Sequence, residues 1–126
     1  MKIRIGSGAE WEDIVGYSRA IKIGNLIEVA GTTAVKEGKV MNVGDAYGQT
    51  IVIFQIIEHA LTQLGASMDD VIRTRIFVTD ISNWEAVGRA HGTYFKTIKP
   101  VSTMVEVSGL INPEMLVEIE VTAIIS

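Results

Sequence analysis

Hydrophobic and polar residues alternate through most of residues 101–126, a pattern typical of β-strands. The alternation forms two arms that flank Asn112 and Pro113, residue types that favour a turn. Side chains on a strand point alternately to its two faces. If the arms pair in register, one face combines Ser102, Met104 and Glu106 with Glu118, Glu120 and Thr122, and the other combines Thr103, Val105 and Val107 with Val117, Ile119, Val121 and Ala123. The sequence therefore predicts a sheet face with three carboxylates.

Two segments carry apolar residues at the spacing of three and four that is typical of amphipathic helices. The first is predicted to begin after Asp45 as N-cap and to end at Gly65. Its buried stripe is predicted to contain Ala46, Thr50, Ile53, Phe54, Ile57, Ala60, Leu61 and Leu64. The second is predicted to open with a capping box between Ser82 and Glu85 and to end before Pro100. Its apolar stripe is Trp84, Val87, His91, Tyr94, Phe95 and Ile98.

The remaining strands are predicted at residues 2–5, 17–23, 26–31 and 71–79, with a tight turn at Gly24 and Asn25 and another turn at residues 36–39. In the strand at residues 71–79, alternation sets Ile72, Thr74, Ile76 and Val78 against Arg73, Arg75 and Phe77. The element order β-β-β-α-β-α-β-β predicts a single α+β domain over residues 1–126. We expect one mixed sheet with both helices on one face.

Helices on one face leave the other face of the sheet uncovered. By alternation this open face holds Tyr17, Arg19, Arg73, Arg75, Phe77, Met104, Glu106, Glu118 and Glu120. A face that mixes aromatic, methionine and oppositely charged side chains needs a partner. Identical sheets packed together in a cyclic oligomer would bury it.

Composition narrows the classes of function. The chain has 126 residues, a net charge of −4 and no cysteine. The absence of cysteine excludes disulfides and thiolate chemistry and favours a reducing cytoplasm. No signal-like apolar region follows the N-terminus, and no segment approaches the roughly 18 apolar residues of a membrane span. The acidic balance argues against binding to nucleic-acid phosphates.

Several polar side chains are interpreted as structural. His91 lies in an apolar stripe and is predicted to be a hydrogen-bonded core residue, and His59 is predicted to face solvent. Two histidines on separate helices provide no metal-ligand spacing. Glu12 is interpreted as a solvated loop charge, and Trp11 as an anchor of its loop to apolar surface.

The pattern also resembles a known family. The resemblance rests on the segment from Gly16 to Ala20, the Gly24-Asn25 turn before Ala30-Gly31, residues 77–80 (FVTD), residues 104–107 (MVEV) and residues 117–120 (VEIE). Their order and spacing resemble the Rid family (YjgF-type, reactive intermediate deaminases). The resemblance implies a chorismate-mutase-like fold, a homotrimer with inward-facing sheets, and clefts between subunits. It also implies hydrolysis of small enamines or imines to ketones and ammonia. No cofactor is predicted.

The resemblance assigns roles residue by residue. Glu118 matches the glutamate that orients water, Tyr17 matches a cleft wall, and Gly31 matches the cleft glycine. Ser102 stands where the active subfamily has an arginine that clamps the substrate carboxylate, and Met104 replaces a small residue. A lost bidentate pair costs on the order of a hundredfold in binding. We therefore expect an altered substrate, with Arg19, Arg73 or Arg75 as an alternative cation.

Two alternative roles remain open for each of Glu118 and Tyr17. Glu118 either orients water or forms a structural ion pair with Arg73 or Arg75 across subunits. Tyr17 is either a cleft wall or a core aromatic with a satisfied hydroxyl. The function is an imine or enamine hydrolase, or alternatively a trimer that binds a small metabolite without turnover. A ribonuclease or translation inhibitor has little support, since the chain has no basic stripe.

Overall fold

The structure is a computed structural model that describes residues 1–126. The strands are β1 (Lys2–Ile5), β2 (Ala20–Ile23), β3 (Leu26–Thr32), β4 (Val35–Lys36), β5 (Lys39–Val40), β6 (Val71–Val78), β7 (Val101–Glu106) and β8 (Val117–Ile124). The helices are α1 (Ala46–Gln63) and α2 (Trp84–Phe95). Short helical turns occupy Glu12–Gly16, Met68–Asp70 and Ile81–Asn83.

Six strands form one mixed sheet in the order β1-β2-β3-β8-β6-β7. Only β6 and β7 are parallel, and every other pair is antiparallel. The predicted α+β architecture with one mixed sheet is confirmed. The turn at residues 36–39 closes a separate ribbon of β4 and β5, with Glu37 and Gly38 at φ 52° and 77°. Such positive angles at both central residues are those of a type I′ hairpin turn.

The core lies between the helices and one face of the sheet. On β8, Val117, Ile119 and Val121 are at most 2% exposed, while the intervening side chains are half-buried. All eight predicted stripe residues of α1 are buried, which confirms the helical pattern. In α2 the stripe is only partly right, because Trp84 is 59% exposed. No helix is both long enough and apolar enough to span a membrane.

The predicted pairing of β7 with β8 is wrong, because β6 lies between them. The connection from β6 through α2 to β7 is a parallel crossover, which places β7 beside β6. Ile76 of β6 is opposite both Met104 and Ile119, so Met104 shares the helix-covered face. The alternation within β7 is therefore right and its assignment to a face is wrong. Ser102, Met104 and Glu106 lie on the helix-covered face, and Thr103 and Val105 lie on the open face with Glu118.

Both ends of α1 are as the sequence predicts, whereas the start of α2 is not. The Asp45 side chain accepts a hydrogen bond from Gly48 N at 2.9 Å, and Gly65 has φ 81°, as predicted for the two ends of α1. The predicted capping box of Ser82 is wrong. The Asp80 carboxylate instead accepts from Ser82 N at 2.9 Å, because a short 3₁₀ turn precedes α2.

Three further local expectations are wrong. Register shifts between Val71 and Arg73, so Ile72 is 44% exposed while Val71 is buried. A bulge adds one residue and reverses the alternation on one side of it. Glu12 is buried because its carboxylate accepts hydrogen bonds from the backbone N and hydroxyl of Ser7. Trp11 is 51% exposed and therefore does not anchor its loop within this chain.

Candidate functional site

The open face of the sheet brings Glu118, Gly31, Arg19 and Tyr17 together. Glu118 points outward from the middle of β8, and Gly31 lies in an irregular part of β3 where its register with β8 shifts. A Cβ atom on Gly31 would lie 2.5 Å from Glu118 Oε2 and 2.9 Å from its Cδ. A residue with a Cβ atom at position 31 would therefore force the Glu118 carboxylate to move away from β3. We call these four residues the Glu118 cluster.

Arg19 is held in the Glu118 cluster by backbone and side-chain contacts. It precedes β2, but its backbone N donates to Ile5 O at 2.8 Å and its carbonyl accepts from Ala30 N at 3.0 Å. Its Nη2 donates to Gly31 O at 2.7 Å, and its guanidinium lies 5.9 Å from the centre of the Tyr17 ring. Its Nε is buried and has no hydrogen-bond partner in the chain. A cation is thus fixed beside Glu118, and its buried Nε–H donor has no partner within the chain.

The environment of Glu118 changes its acidity. Burial raises the pKa of the Glu118 carboxyl above its ordinary value, the nearby Arg19 charge opposes this, and Glu120 adds to it. Loss of hydration disfavours the charged form of a carboxyl group, while a neighbouring cation favours it. A carboxylate with a raised pKa is a stronger base than a solvated glutamate. Glu118 can therefore orient a water molecule and accept its proton.

Neighbouring charges on the open face have a different role. Arg75 Nη1 forms an ion pair with Glu120 Oε1 at 3.3 Å, in which the Arg75 side chain is exposed and the Glu120 side chain is partly buried. Within one chain, Arg75 therefore pairs with Glu120 and not with Glu118. Arg73, Arg75, Glu120 and Tyr17 line a cavity of about 450 Å³ on this face. Tyr17 is 40% exposed, so the alternative in which it is a core aromatic is wrong for the chain.

A second polar cluster lies on the helix-covered face. Thr74 Oγ1 donates to Ser102 Oγ at 2.7 Å and lies 2.9 Å from His91 Nε2. The His91 ring packs against Phe54 and Phe95, with centroid distances of 5.7 and 4.7 Å. Burial lowers the pKa of His91 below its ordinary value. The predicted hydrogen-bonded core histidine is confirmed.

The structure thus divides the predicted site residues between two faces. Tyr17, Arg19, Gly31 and Glu118 are together, whereas Ser102 and Met104 lie on the opposite face of the sheet. Met104 packs against the hydrophobic core. Sequence reasoning assigned Thr74 to a strand face and did not predict its contacts with Ser102 and His91. No group of three or more His, Cys, Asp or Glu side chains is arranged to hold a metal ion.

The fold and the Glu118 cluster define a small α+β protein in which a carboxylate and a guanidinium lie together on the open face of the sheet. The sequence pattern of the family called Endoribonuclease L-PSP matches residues 8–125. The chain belongs to this family, which also confirms the resemblance to the Rid (YjgF-type) proteins.

Particular relatives agree with this assignment. The chain is 40% identical over 120 residues to an uncharacterized protein of Streptomyces coelicolor, covering 95% of this chain and 90% of that protein. It is 35% identical over 104 residues to the 3-aminoacrylate deaminase RutC of Acinetobacter baylyi, covering 82% of each. A crystal structure from Mycobacterium tuberculosis, of a member of the YjgF/YER057c/UK114 family, has 48% identity and a TM-score of 0.91, covering 99% of this chain and 100% of that one.

Proposed function

We propose that the protein is a hydrolase that deaminates a small enamine or imine, with Glu118 as the residue that orients and deprotonates water. The observation that carries the proposal is the half-buried Glu118 carboxylate, which lies against Gly31 and beside the Arg19 cation. The similarity to a 3-aminoacrylate deaminase supports the reaction class. No cofactor enters the proposed reaction.

The chemistry needs only water and proton transfers. A proton from solvent adds to the enamine carbon and gives an iminium ion, whose C=N carbon is electrophilic. The water oxygen adds to this carbon while Glu118 accepts the water proton. The Glu118 carboxyl returns this proton to the nitrogen, the C–N bond breaks and ammonia leaves, and the hydroxyl oxygen gives its remaining proton to solvent to form the carbonyl. Arg19 stabilises negative charge near the reacting centre, since it is fixed by its bond to Gly31 O.

We further propose that the working form is a homotrimer with its clefts between subunits. The open face carries Tyr17 and Arg75 at 40% or more exposure, together with an acidic residue paired to that arginine. Ser102 and Glu118 lie on opposite faces of one sheet, so a cleft that contains both needs two chains. Light scattering is expected to give three times the chain mass of 13.7 kDa. A mass equal to one chain at micromolar concentration would contradict the trimer. The proposed compartment is the cytoplasm, on the absence of cysteine.

The test of the proposed reaction compares two glutamates on one strand face. Ammonia release is measured from 3-aminoacrylate and from its neutral amide, 3-aminoacrylamide, using wild type, Glu118→Gln and Glu120→Gln. We expect Glu118→Gln to lower kcat by about 10²- to 10⁴-fold, the usual contribution of a general base. Glu120→Gln removes the ion pair with Arg75 and the smallest of the three contributions to the pKa of Glu118, and as the control on the same strand face it is expected to stay within a few-fold.

Equal losses in the two variants would refute the role of Glu118. No turnover of either compound by wild type would refute the hydrolase. The cleft would then be a binding site for a metabolite.

A further inference from the structure

Arg19 is a fixed positive charge at the place where the Glu118 carboxylate lies. Its Nη2 donates to Gly31 O at 2.7 Å, and the Glu118 carboxylate packs against the same glycine. Both side chains therefore meet one short stretch of β3. The backbone of Arg19 is held as well, because its N donates to Ile5 O and its carbonyl accepts from Ala30 N. Contacts with the backbone of β1 and β3 thus set the position of the charge beside the carboxylate.

The hydrogen-bond donors of Arg19 face the chain and not a ligand. A guanidinium binds a carboxylate most strongly through two parallel N–H donors. In Arg19, Nη2 donates to Gly31 O, and Nε is buried without a partner. The edge formed by these two nitrogens is therefore closed to a ligand. The positive charge itself remains, and no carboxylate neutralises it, because the ion pair of the chain joins Arg75 to Glu120.

The other charged side chains around Glu118 have partners of their own or act on it less. On the open face these charged and titratable side chains are Arg19 and Tyr17 from the segment before β2, Glu28 from β3, Arg73 and Arg75 from β6, and Glu120 from β8. Glu28 accepts a hydrogen bond from Thr122, and Arg75 pairs with Glu120. Burial raises the pKa of Glu118, the Arg19 charge lowers it, and Glu120 raises it to a smaller extent. Arg19 is thus the cation that opposes the effect of burial.

We propose that Arg19 is a positioning residue for Glu118: its fixed guanidinium keeps the half-buried carboxylate in the ionised form that accepts a proton, and so determines the lowest pH at which the reaction runs. This inference rests on the proposed function and adds its dependence on pH. The role differs from that of a cation that clamps the substrate carboxylate.

The size of the expected effect follows from the behaviour of neighbouring opposite charges. A cation within about 4–6 Å of a carboxyl group lowers its proton affinity by about 10- to 1000-fold. Glu118 is only half-buried, so solvent weakens the interaction and the lower end of this range applies. A protonated Glu118 cannot accept the proton of the attacking water. Without the Arg19 charge, activity is therefore lost at a higher pH than in wild type.

The titration of Glu118 measures the inference directly. In ¹³C NMR of protein with labelled glutamate carboxyl groups, the Glu118 signal is the one that is absent from Glu118→Gln. We expect the neutral variants Arg19→Gln and Arg19→Met to raise the titration midpoint by about one pH unit, which corresponds to tenfold in proton affinity. Arg19→Lys keeps the charge and is expected to restore most of the difference. Arg73→Gln removes a cation from the same face and, as the matched control, is expected to leave the midpoint in place.

The pH dependence of ammonia release gives a second measurement. The kcat/KM for 3-aminoacrylate is compared in wild type and the Arg19 variants, so that protonation of the substrate contributes equally to every profile. The acid limb of the profile is expected to move to higher pH together with the NMR midpoint. In Arg19→Gln, the KM values of 3-aminoacrylate and 3-aminoacrylamide are expected to change by the same factor, because the charge acts on Glu118 and not on the substrate carboxylate.

Three outcomes would overturn the inference. One is a Glu118 midpoint that is the same in wild type and in both neutral variants. Another is a midpoint in Arg19→Lys as high as that in Arg19→Gln, because the charge would then not be the cause. The third is a rise in KM in Arg19→Gln that is confined to 3-aminoacrylate, because Arg19 would then bind the substrate carboxylate.

The two measurements separate this inference from the proposed reaction. A midpoint that rises in Arg19→Gln, while wild type releases no ammonia from any enamine, refutes the hydrolase and supports the control of Glu118 by Arg19. Ammonia release by wild type, together with a midpoint that does not respond to Arg19→Gln, overturns the inference and leaves the hydrolase standing.

Discussion

Replacing Gly31 by alanine tests whether the Glu118 carboxylate must lie against β3. The new Cβ would lie 2.5 Å from Glu118 Oε2, whereas an unstrained contact is about 3.5 Å, so the carboxylate must retreat by about 1 Å. A misplacement of about 1 Å typically costs on the order of 100-fold in rate. Since the displaced atoms are at the flexible end of a side chain, we expect a stability loss of only about 1 kcal/mol.

The assay combines ammonia release from the enamines with urea unfolding. Gly109→Ala is the matched control, because a Cβ there meets nothing within 4 Å. Gly31→Ala is expected to fold, to lose kcat, and to add little in a Glu118→Gln background. A kcat within twofold of wild type would refute the reasoning, because the position of the carboxylate would then not matter.

Three other predictions concern stability. Burial raises the pKa of Glu118, so the folded state disfavours its charged form. Glu118→Gln is therefore expected to raise the free energy of unfolding at pH 7, and this gain is expected to disappear as the pH falls toward 4.5. A difference in unfolding free energy that stays constant across this pH range would contradict burial as the cause. Burial lowers the pKa of His91, so the unfolded chain binds a proton at a higher pH than the folded chain does. Urea unfolding is therefore expected to show that the free energy of unfolding falls as the pH drops below 6.5, and that it falls less in His91→Phe than in wild type. Asp45→Ala removes the cap of α1 and is expected to cost about 1 kcal/mol in thermal unfolding, while Ser82→Ala, which does not cap α2, is expected to cost less.

The local elements were predictable because their signals lie within a few residues. Asp45 and Gly65 mark the ends of α1, and the eight predicted stripe positions between them are all buried. Period-two alternation likewise identified β8 and its two faces. These signals depend on backbone geometry and solvent contrast alone, so a single sequence contains them.

The arrangement of the site was only partly predictable because it depends on which strands are neighbours. Alternation cannot say that β6 separates β7 from β8, and this choice moved Ser102 to the face opposite Glu118. A bulge reversed the expected direction of Ile72 for a similar reason. Thr74 was hidden because a threonine in an apolar strand gives no indication of its partners. Long-range pairing, and not local propensity, determined these outcomes.

Neighbouring residues of β6 have consequences for how the protein can change. Thr74 supports Ser102 on one face of the sheet, while Arg75, the next residue, pairs with Glu120 on the other. Within one chain, the strand therefore separates the Thr74–Ser102 hydrogen bond from the charged surface around Glu118. Substitutions at residues 74, 91 and 102 therefore change one face of the sheet and leave the pairing of Arg75 with Glu120 on the other face in place.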